Sequence, residues 1–251
     1  MPHDTEVRYA RNISLPEVGT AGQERLSQAK VLVVGAGGLG SPLLLYLTAA
    51  GIGTIGIVDD DRVALSNLQR QVLHETADIG RLKTDSARDA LQDLNPEVKI
   101  IPHAFRLDDT NAATLIQDYD LIADGCDNFE TRFLVNAACL KAEKTLGSAA
   151  VIGFGGQLYT FKPYLGAPHP CYQCLCPELP PPDATPRCAD SGVLGSVAGI
   201  LGAWQATEAI KELLGIGESL SGHMLLLDAL KAEIRKVKLP RDPACVCCGG
   251  E

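Results

Sequence analysis

KVLVVGAGGLG, residues 30–40, is the most informative stretch of this chain. An apolar run, Val31–Val34, leads there into a turn that is rich in glycine. A buried strand that turns through glycines into a helix lets the backbone approach a phosphate, and the free N–H groups of the helix start attract the phosphate charge. Such a turn indicates a nucleotide site and fits NAD, FAD or ATP equally. The glycines that we predict to bind the nucleotide are Gly35, Gly37, Gly38 and Gly40.

On both sides of this turn, apolar runs alternate with apolar residues at helical spacing, which is typical of α/β folds with a parallel sheet. Strands are predicted at 31–34, 54–58, 98–101, 121–123, 145–152 and 157–161. Helices are predicted at 41–50, 86–94, 111–117, 131–143 and 193–214. Residues 224–227 and 232–239 predict a terminal antiparallel pair. We therefore expect a doubly wound, Rossmann-like and mostly parallel sheet with a C-terminal antiparallel extension.

The chain has 251 residues, of which 46% are hydrophobic and 21% are charged, and this composition suits a single globular domain. We divide the domain into a helical arm at 1–29, a nucleotide-binding core at 30–162 and a C-terminal part at 163–251. The last part begins with a crossover loop, 163–191, that holds eight prolines and four cysteines. We expect the long helix, the terminal strands and a metal site to follow it.

The overall charge and the N-terminal sequence exclude several classes of protein. A net charge of -9 argues against unspecific binding to nucleic acid. The uncharged run 31–58 holds seven glycines and a proline, so it predicts strand, helix and strand rather than a membrane span. Nothing at the N-terminus resembles a signal peptide, and nine cysteines then indicate thiols or metal ligands. We expect a cytoplasmic protein that binds neither nucleic acid nor membrane.

Three acidic residues end the second predicted strand. Asp59 lies 19 residues beyond Gly40, where an acidic residue commonly binds the ribose hydroxyls of a nucleotide. The alternative is a strand-end aspartate that faces water, and the preceding glycine turn favours the ribose interpretation. Asp60 and Asp61 compete with Asp59 for this role.

Cations follow these acids closely, in the segment Ser66–Gln71 and at Lys83. A dehydrogenase needs no cationic pair there, whereas a phosphoryl-type reaction needs one, because negative charge builds on the phosphate oxygens and on a leaving pyrophosphate. Arg70 and Lys83 are therefore candidates for stabilising that charge. For each of them taken alone, a solvated surface cation is an equal alternative.

The fourth predicted strand leads into Cys126, Asp127 and Asn128. In a doubly wound sheet, ligands lie outside the carboxyl ends of the strands, so this loop and the glycine turn should face one crevice. A carboxylate there could hold Mg²⁺ between phosphates. Alternatively, Asp127 or Asn128 caps the helix that begins near Phe129, and both roles are compatible.

Two C-x₂-C pairs give the strongest signal in the C-terminal part. Together they provide the four thiolates of a tetrahedral zinc site, which leaves no open position for catalysis and is therefore structural. Free cysteines or a redox pair are the alternatives, and two matched pairs in two irregular segments argue against both. The predicted zinc ligands are Cys171, Cys174, Cys245 and Cys248.

The other cysteines are harder to interpret. Cys176 and Cys247 could each replace a zinc ligand, with poorer spacing, and Cys126 and Cys139 fit small buried residues. Cys188 adjoins Arg187 and precedes the long helix, which would lower its pKa and make it nucleophilic. An unremarkable loop thiol is an equal alternative for Cys188.

Taken together, these motifs resemble the MoeB/ThiF family, relatives of ubiquitin-activating enzymes, over nearly the whole chain. The elements that carry the resemblance are Arg8-Tyr9-Ala10-Arg11, Gly35–Gly40, Ser66–Gln71, Lys83, Cys126-Asp127-Asn128, both cysteine pairs, Cys188 with Gly192, and Gln205–Lys211.

The resemblance implies an adenylating enzyme that uses ATP and Mg²⁺ to activate the C-terminal glycine carboxylate of a small ubiquitin-like sulfur carrier ending in Gly-Gly. Arg11 would reach the phosphates in the other subunit's site, which implies a homodimer. Cys188 would align with a cysteine that accepts the acyl group in some members. The other residues implied to bind the nucleotide or its phosphates are Gly38, Asp59, Asp61, Ser66, Asn67, Arg70, Lys83, Cys126, Asp127 and Asn128.

The segment Pro170–Leu175 and its proline-rich continuation resemble MoeB-type members, which implies the small subunit of molybdopterin synthase as carrier and a role in molybdenum cofactor biosynthesis. A carrier of the thiamine or tRNA-thiolation pathways is an alternative. Some relatives carry a C-terminal sulfurtransferase domain, whereas this sequence ends after its second cysteine pair. We therefore expect a separate sulfurtransferase or cysteine desulfurase to supply sulfur. An NAD- or FAD-dependent oxidoreductase and a zinc-containing binding module with an inactive nucleotide site are the alternatives from other classes.

Overall fold

The computed structural model describes residues 3–181 and 192–249 and contains one eight-stranded sheet in the order β3-β2-β1-β4-β5-β6-β7-β8. The strands are β1 Lys30–Val34, β2 Thr54–Val58, β3 Lys99–His103, β4 Leu121–Asp124, β5 Thr145–Ile152, β6 Gly155–Phe161, β7 His223–Asp228 and β8 Glu233–Lys238. The helices are α1 His3–Ile13, α2 Gly19–Gln28, α3 Gly40–Ala49, α4 Lys83–Leu94, α5 Ala112–Gln117, α6 Phe129–Lys141, α7 Tyr172–Leu175 and α8 Gly195–Leu214.

The first five strands pair in parallel, and β6, β7 and β8 continue the sheet in antiparallel pairs. This arrangement confirms the predicted fold class. The strand order reverses its direction of growth between β1 and β4, so the loops that follow these two strands run to opposite faces of the sheet. A crevice opens at such a switch point, outside the carboxyl ends of the strands.

Side chains of β1 alternate between two cores, one on each face of the sheet. Val31 and Val33 pack among residues of α3, α4 and α8, whereas Leu32 and Val34 pack among residues of α5 and α6. Because both faces are covered by helices, β1, β2 and β4 are apolar apart from Lys30, Thr54 and Asp124 at their ends. That burial explains why their sequences read as continuous apolar runs.

The arm packs below the sheet, at the amino ends of the strands. Tyr9 of α1 is 3% exposed, and its Oη accepts a hydrogen bond from Asn95 Nδ2 at 2.8 Å. Gly51 makes room for the ring, since a Cβ there would lie 2.5 Å from Tyr9 Cζ. The arm therefore lies at the end of the sheet opposite the switch-point crevice.

Helix α4 begins earlier than its apolar spacing predicts, at Lys83 rather than residue 86. Helix α6 begins at Phe129 rather than residue 131, and α3 begins at Gly40, one residue before the predicted start at Ser41. Lys83 and Thr84 are polar but buried, so a search for apolar positions misses the first turn of α4. The crossover loop also contains two short helical segments, Pro163–Leu165 and α7. Within residues 3–181 and 192–249, no helix combines the length and apolarity that crossing a bilayer requires.

Candidate active site

A cavity of about 1200 Å³ opens at the carboxyl ends of the parallel strands. It lies between the loops that follow β1, β2 and β4, as the topology requires. The predicted site residues that line it are Gly35, Gly37, Gly38, Asp59, Asp61, Arg70, Lys83, Cys126, Asp127 and Asn128. Residues from five separate segments of the sequence thus meet in one place.

The glycine turn needs its glycines for two different reasons. Gly35 has a φ of +93°, a conformation that L side chains rarely adopt. At Gly40 a Cβ would lie 1.9 Å from the carbonyl oxygen of Gly35, so this glycine lets α3 begin directly behind the turn. Gly40 does not line the cavity, and its predicted contact with a nucleotide remains a prediction.

Asp59 joins the glycine turn to the end of β2. Its Oδ2 accepts a hydrogen bond from the N–H of Ala36 at 2.8 Å, and its Oδ1 accepts one from the N–H of Asp61 at 2.9 Å. Burial raises the pKa of Asp59, whereas the positive charge of Lys83 opposes that rise. A carboxylate at this position has lone pairs left for ribose hydroxyls.

Lys83, in the first turn of α4, neutralises the acidic end of β2. Its Nζ lies 2.8 Å from Asp61 Oδ2 and 4.0 Å from Asp59 Oδ2, and only 7% of its side chain is exposed. A long cationic side chain this deeply buried is unusual unless it is paired. The structure thus excludes the solvated surface cation that the sequence left open for this residue.

Arg70 lies across the glycine turn. A Cβ at Gly38 would lie 3.4 Å from Arg70 Cγ, and the guanidinium donates to the carbonyl oxygen of Ser66 at 3.0 Å. Asn67 Oδ1 accepts a hydrogen bond from the N–H of Ala64 at 3.1 Å. Ser66 and Asn67 therefore shape the turn that carries Arg70, outside the cavity lining, and their predicted nucleotide contacts remain predictions.

The loop between β4 and α6 shows which of its residues caps the helix. Asn128 is the N-cap of α6, and its Oδ1 accepts the N–H of Thr131 at 2.9 Å. Asp127 is exposed in the cavity, and its carboxylate has no hydrogen-bond or ion-pair partner within the described parts of the chain. The cap role thus belongs to Asn128, and the Mg²⁺ role of Asp127 remains a prediction.

A buried ion pair that the sequence analysis did not identify supports this loop from below. Arg132 Nη1 lies 3.2 Å from Asp124 Oδ2, and Arg132 Nη2 donates to the carbonyl oxygens of Cys126 and Ala149 at 2.6 and 2.7 Å. Ser148 Oγ donates to Asp124 Oδ2 at 2.8 Å. Asp124 ends a strand and Arg132 follows eight residues later on a helix, and only this pairing of a strand-end acid with a helical cation could have indicated the contact.

Arg11 does not reach this cavity. It is exposed on α1, at the opposite end of the sheet, whereas its neighbour Arg8 donates to the carbonyl oxygen of Leu94 at 3.2 Å. Cys188 lies outside the described residues. The predicted catalytic roles of both residues remain predictions.

The four predicted zinc ligands form one cluster. Their sulfur atoms all lie within 4.8 Å of one another, with 3.6 Å between Cys171 and Cys245 and 3.5 Å between Cys174 and Cys248. Four sulfurs at about 2.3 Å from one zinc ion lie about 3.8 Å apart, so the spacing fits a tetrahedral metal site and exceeds the length of a disulfide. The cluster joins α7 to the C-terminal segment.

The remaining described cysteines lie outside the cluster. Cys247 Sγ accepts a hydrogen bond from Asn136 Nδ2 at 3.3 Å, while Asn136 Oδ1 accepts the N–H of Tyr172 at 2.8 Å. Cys126 and Cys139 are buried, as expected, and burial raises the pKa of both thiols. Cys126 is consequently a poor nucleophile although it lines the cavity.

Comparisons with known proteins agree with this geometry. The ThiF family model matches residues 9–247. A sulfur carrier protein adenylyltransferase of Thermus thermophilus is 50% identical over 246 residues, which cover 97% of this chain and 91% of that protein. The adenylyltransferase and sulfurtransferase MOCS3-2 of Zea mays is 48% identical over 250 residues, or 99% of this chain. This chain spans 51% of the length of the maize protein.

A solved structure has the same architecture. MccB of E. coli, determined with MccA-N7isoASN, superposes with a TM-score of 0.83 at 24% identity, over 98% of this chain and 75% of that chain. At this level of identity the likeness concerns the fold alone.

Proposed function

The chain belongs to the ThiF family and is an adenylyltransferase, and we propose that it activates the C-terminal carboxylate of a small ubiquitin-like sulfur carrier. The observation that carries this proposal is the meeting of the glycine turn, Asp59, Arg70, Lys83 and Asp127 in one cavity. This set offers backbone N–H groups, a ribose acceptor, two cations and an unpaired carboxylate. ATP needs all four kinds of group.

In the proposed reaction, a carboxylate oxygen of the carrier attacks the α-phosphorus of ATP. The bond from the α-phosphorus to its bridging oxygen breaks, and pyrophosphate leaves with the electron pair. Arg70 and Lys83 stabilise the charge that grows on the phosphate oxygens. Mg²⁺, held by Asp127 and the phosphates, would neutralise further charge when bound. The products are the acyl-adenylate of the carrier and pyrophosphate.

The shape of the cavity supports an extended peptide as the second substrate. Beyond the glycine turn the lining continues onto the antiparallel strands, through Gly155 and Gly156 of β6, Leu227 of β7 and Arg235 of β8. A carrier tail that ends in two glycines is slender enough to lie there and bring its carboxylate to the phosphates. The proposed carrier is of the type used in molybdenum cofactor biosynthesis, and carriers of thiamine or tRNA thiolation fit the same groove.

We propose three further features on the same basis. The enzyme acts as a homodimer. Arg11 of one subunit serves the site of the other subunit, because Arg11 lies far from the cavity of its own subunit. Zn²⁺ occupies the four-cysteine cluster and has a structural role. A sulfurtransferase or cysteine desulfurase in the cytoplasm supplies the sulfur that replaces AMP, with Cys188 as a candidate acceptor of the acyl group.

Isotope exchange between pyrophosphate and ATP tests the proposed function. We expect exchange that requires a Gly-Gly carrier and disappears when the carrier lacks its last two residues. Asp127→Ala should abolish exchange, whereas Asp109→Ala, which changes an exposed aspartate outside the cavity, should not. Absence of exchange with every Gly-Gly carrier of the source cell would refute the proposal, and tighter binding of NADH than of ATP would favour the oxidoreductase.

A further inference from the structure

An imidazole lies directly behind the glycine turn, outside the cavity lining. His74 is 6% exposed, with Nε2 at 2.9 Å from the carbonyl oxygen of Ala36 and Nδ1 at 2.8 Å from Ser86 Oγ. Ala36 is fully buried and lies between two glycines that line the cavity. His74 thus contacts the nucleotide turn without facing the nucleotide.

The hydrogen-bond partners of His74 define which nitrogen carries its proton. A carbonyl oxygen only accepts, so Nε2 must be the N–H that donates to Ala36. Burial lowers the pKa of His74, and the charge of Lys83 acts in the same direction, whereas the hydrogen bond to Ala36 and the charges of Asp78 and Asp59 oppose it.

Ser86 links His74 to an aspartate. Its hydroxyl donates to Asp78 Oδ2 at 2.8 Å, because a carboxylate oxygen only accepts. Asp78 accepts two further hydrogen bonds, from the N–H of Glu75 at 3.0 Å and from Arg81 Nη1 at 2.5 Å. Ser86 Oγ, held by Asp78, therefore contacts the ring at Nδ1 while Nε2 donates to Ala36.

The peptide unit between Ala36 and Gly37 links the hydrogen bond from His74 to the orientation of the Gly37 N–H. In a trans peptide the C=O and the N–H point to opposite sides. The carbonyl of Ala36 points back to His74, so the N–H of Gly37 points forward, on the side where Gly37 lines the cavity. That N–H has no backbone or side-chain acceptor within the described residues.

Ala36 is fixed on both of its sides. Its N–H donates to Asp59 Oδ2 at 2.8 Å, and its carbonyl accepts from His74. A turn with glycine before and after would otherwise have great conformational freedom. We propose that His74 is a positioning residue that orients the Gly37 N–H toward the phosphates of ATP. The inference rests on the proposed function in one respect, that ATP binds at this turn.

Titration calorimetry with a non-hydrolysable ATP analogue tests this role without a carrier protein. His74→Leu removes the donor, and we expect it to weaken the Kd about tenfold, in line with one hydrogen bond that orients a ligand-binding group. His74→Gln keeps an N–H donor at the position of Nε2 and should bind within about twofold of the wild type. The matched control is His169→Leu, since His169 Nδ1 also lies 2.8 Å from a serine hydroxyl, at Ser221, but outside the cavity.

Ser86→Ala provides a second variant that keeps the ring and its packing. Nitrogen NMR of the imidazole should show a proton on Nε2 in the wild type, and Ser86→Ala, which removes the contact at Nδ1, should have a Kd between those of the wild type and His74→Leu. Equal Kd values for the wild type and His74→Leu, a Gln variant as weak as the Leu variant, or a wild-type ring without a proton on Nε2 would overturn the inference. A wild type that binds no ATP analogue would instead refute the proposed function.

Discussion

We expect Lys83 to serve both stability and chemistry in this site. Its ammonium group neutralises two carboxylates at the end of β2 and faces the same cavity as Arg70. When phosphates enter, their oxygens would compete with Asp61 for this cation. The sequence could indicate that a cation was needed near the glycine turn. It could not show that the cation is buried, because burial of a lysine depends on partners from another part of the chain.

Replacing Lys83 by methionine keeps much of its packing volume and removes the charge. If Lys83 stabilises the leaving pyrophosphate, exchange between pyrophosphate and ATP should fall by about 10²–10³, the usual effect of losing one preorganised donor. Steady-state exchange at saturating carrier measures this effect. Lys99→Met, at an exposed position at the start of β3, is the control. Exchange that survives Lys83→Met within a few-fold would show that Lys83 only balances the acidic residues.

Among the secondary-structure elements, strands were predicted better than helix starts, and the difference has a physical cause. Buried parallel strands are apolar at nearly every position, so β1, β2 and β4 are visible in the sequence. The first turn of α4 is polar because it faces the site, so its true start at Lys83 escapes a search for apolar spacing. The pairing of Asp124 with Arg132 also has no apolar pattern that could reveal it, because it joins a strand to a helix through polar side chains alone.

The Asp124–Arg132 pair should stabilise the connection between β4, β5 and α6. Arg132→Met leaves the Asp124 carboxylate buried without its cation, and such a loss costs about 3–5 kcal/mol in the free energy of unfolding. The double variant Asp124→Leu with Arg132→Met should cost less than the sum of the two single changes, because no charge remains unpaired. Urea denaturation of the four proteins of this cycle measures the coupling. Additive costs would contradict a direct interaction.

At the scale of the whole molecule, the four-cysteine cluster joins two segments that lie 70 residues apart in sequence. Spacing alone predicted this cluster, because C-x₂-C pairs identify metal ligands regardless of the fold between them. The role of Arg11, by contrast, cannot be predicted from spacing. No feature of a single chain shows which site an exposed arginine serves.

Cys174→Ser should lower the Tm while leaving the affinity for ATP within a few-fold of the wild type, because the cluster lies away from the glycine turn. Zinc that is bound to the folded state alone contributes its binding free energy to folding, so a chelator should lower the Tm of the wild type as well. Differential scanning calorimetry and metal analysis measure both effects. The matched control is Cys176→Ser, which changes a partly exposed thiol outside the cluster. A parallel loss of ATP affinity and stability would contradict a structural role.

Mixing two inactive variants tests whether Arg11 acts across a dimer. Arg11→Ala and Asp127→Ala should each be inactive alone, but a mixed dimer would contain one complete site. If subunits exchange at random, an equal mixture should recover about a quarter of the wild-type exchange activity, because half of the dimers are mixed and each has one site of two. Gel filtration confirms the dimer. No recovery in mixtures whose subunits have demonstrably exchanged would refute action in trans.

The change from parallel to antiparallel pairing at β5 and β6 has a consequence for engineering. The groups that we propose to bind ATP come from the parallel half, whereas the groove that we propose for the carrier tail runs over β6, β7 and β8. Chemistry and partner choice therefore belong to separate segments of the chain. Transplanting residues 155–161 and 223–238 from a relative with another carrier should retarget the enzyme while its adenylation step stays intact, so the sheet is modular at this boundary.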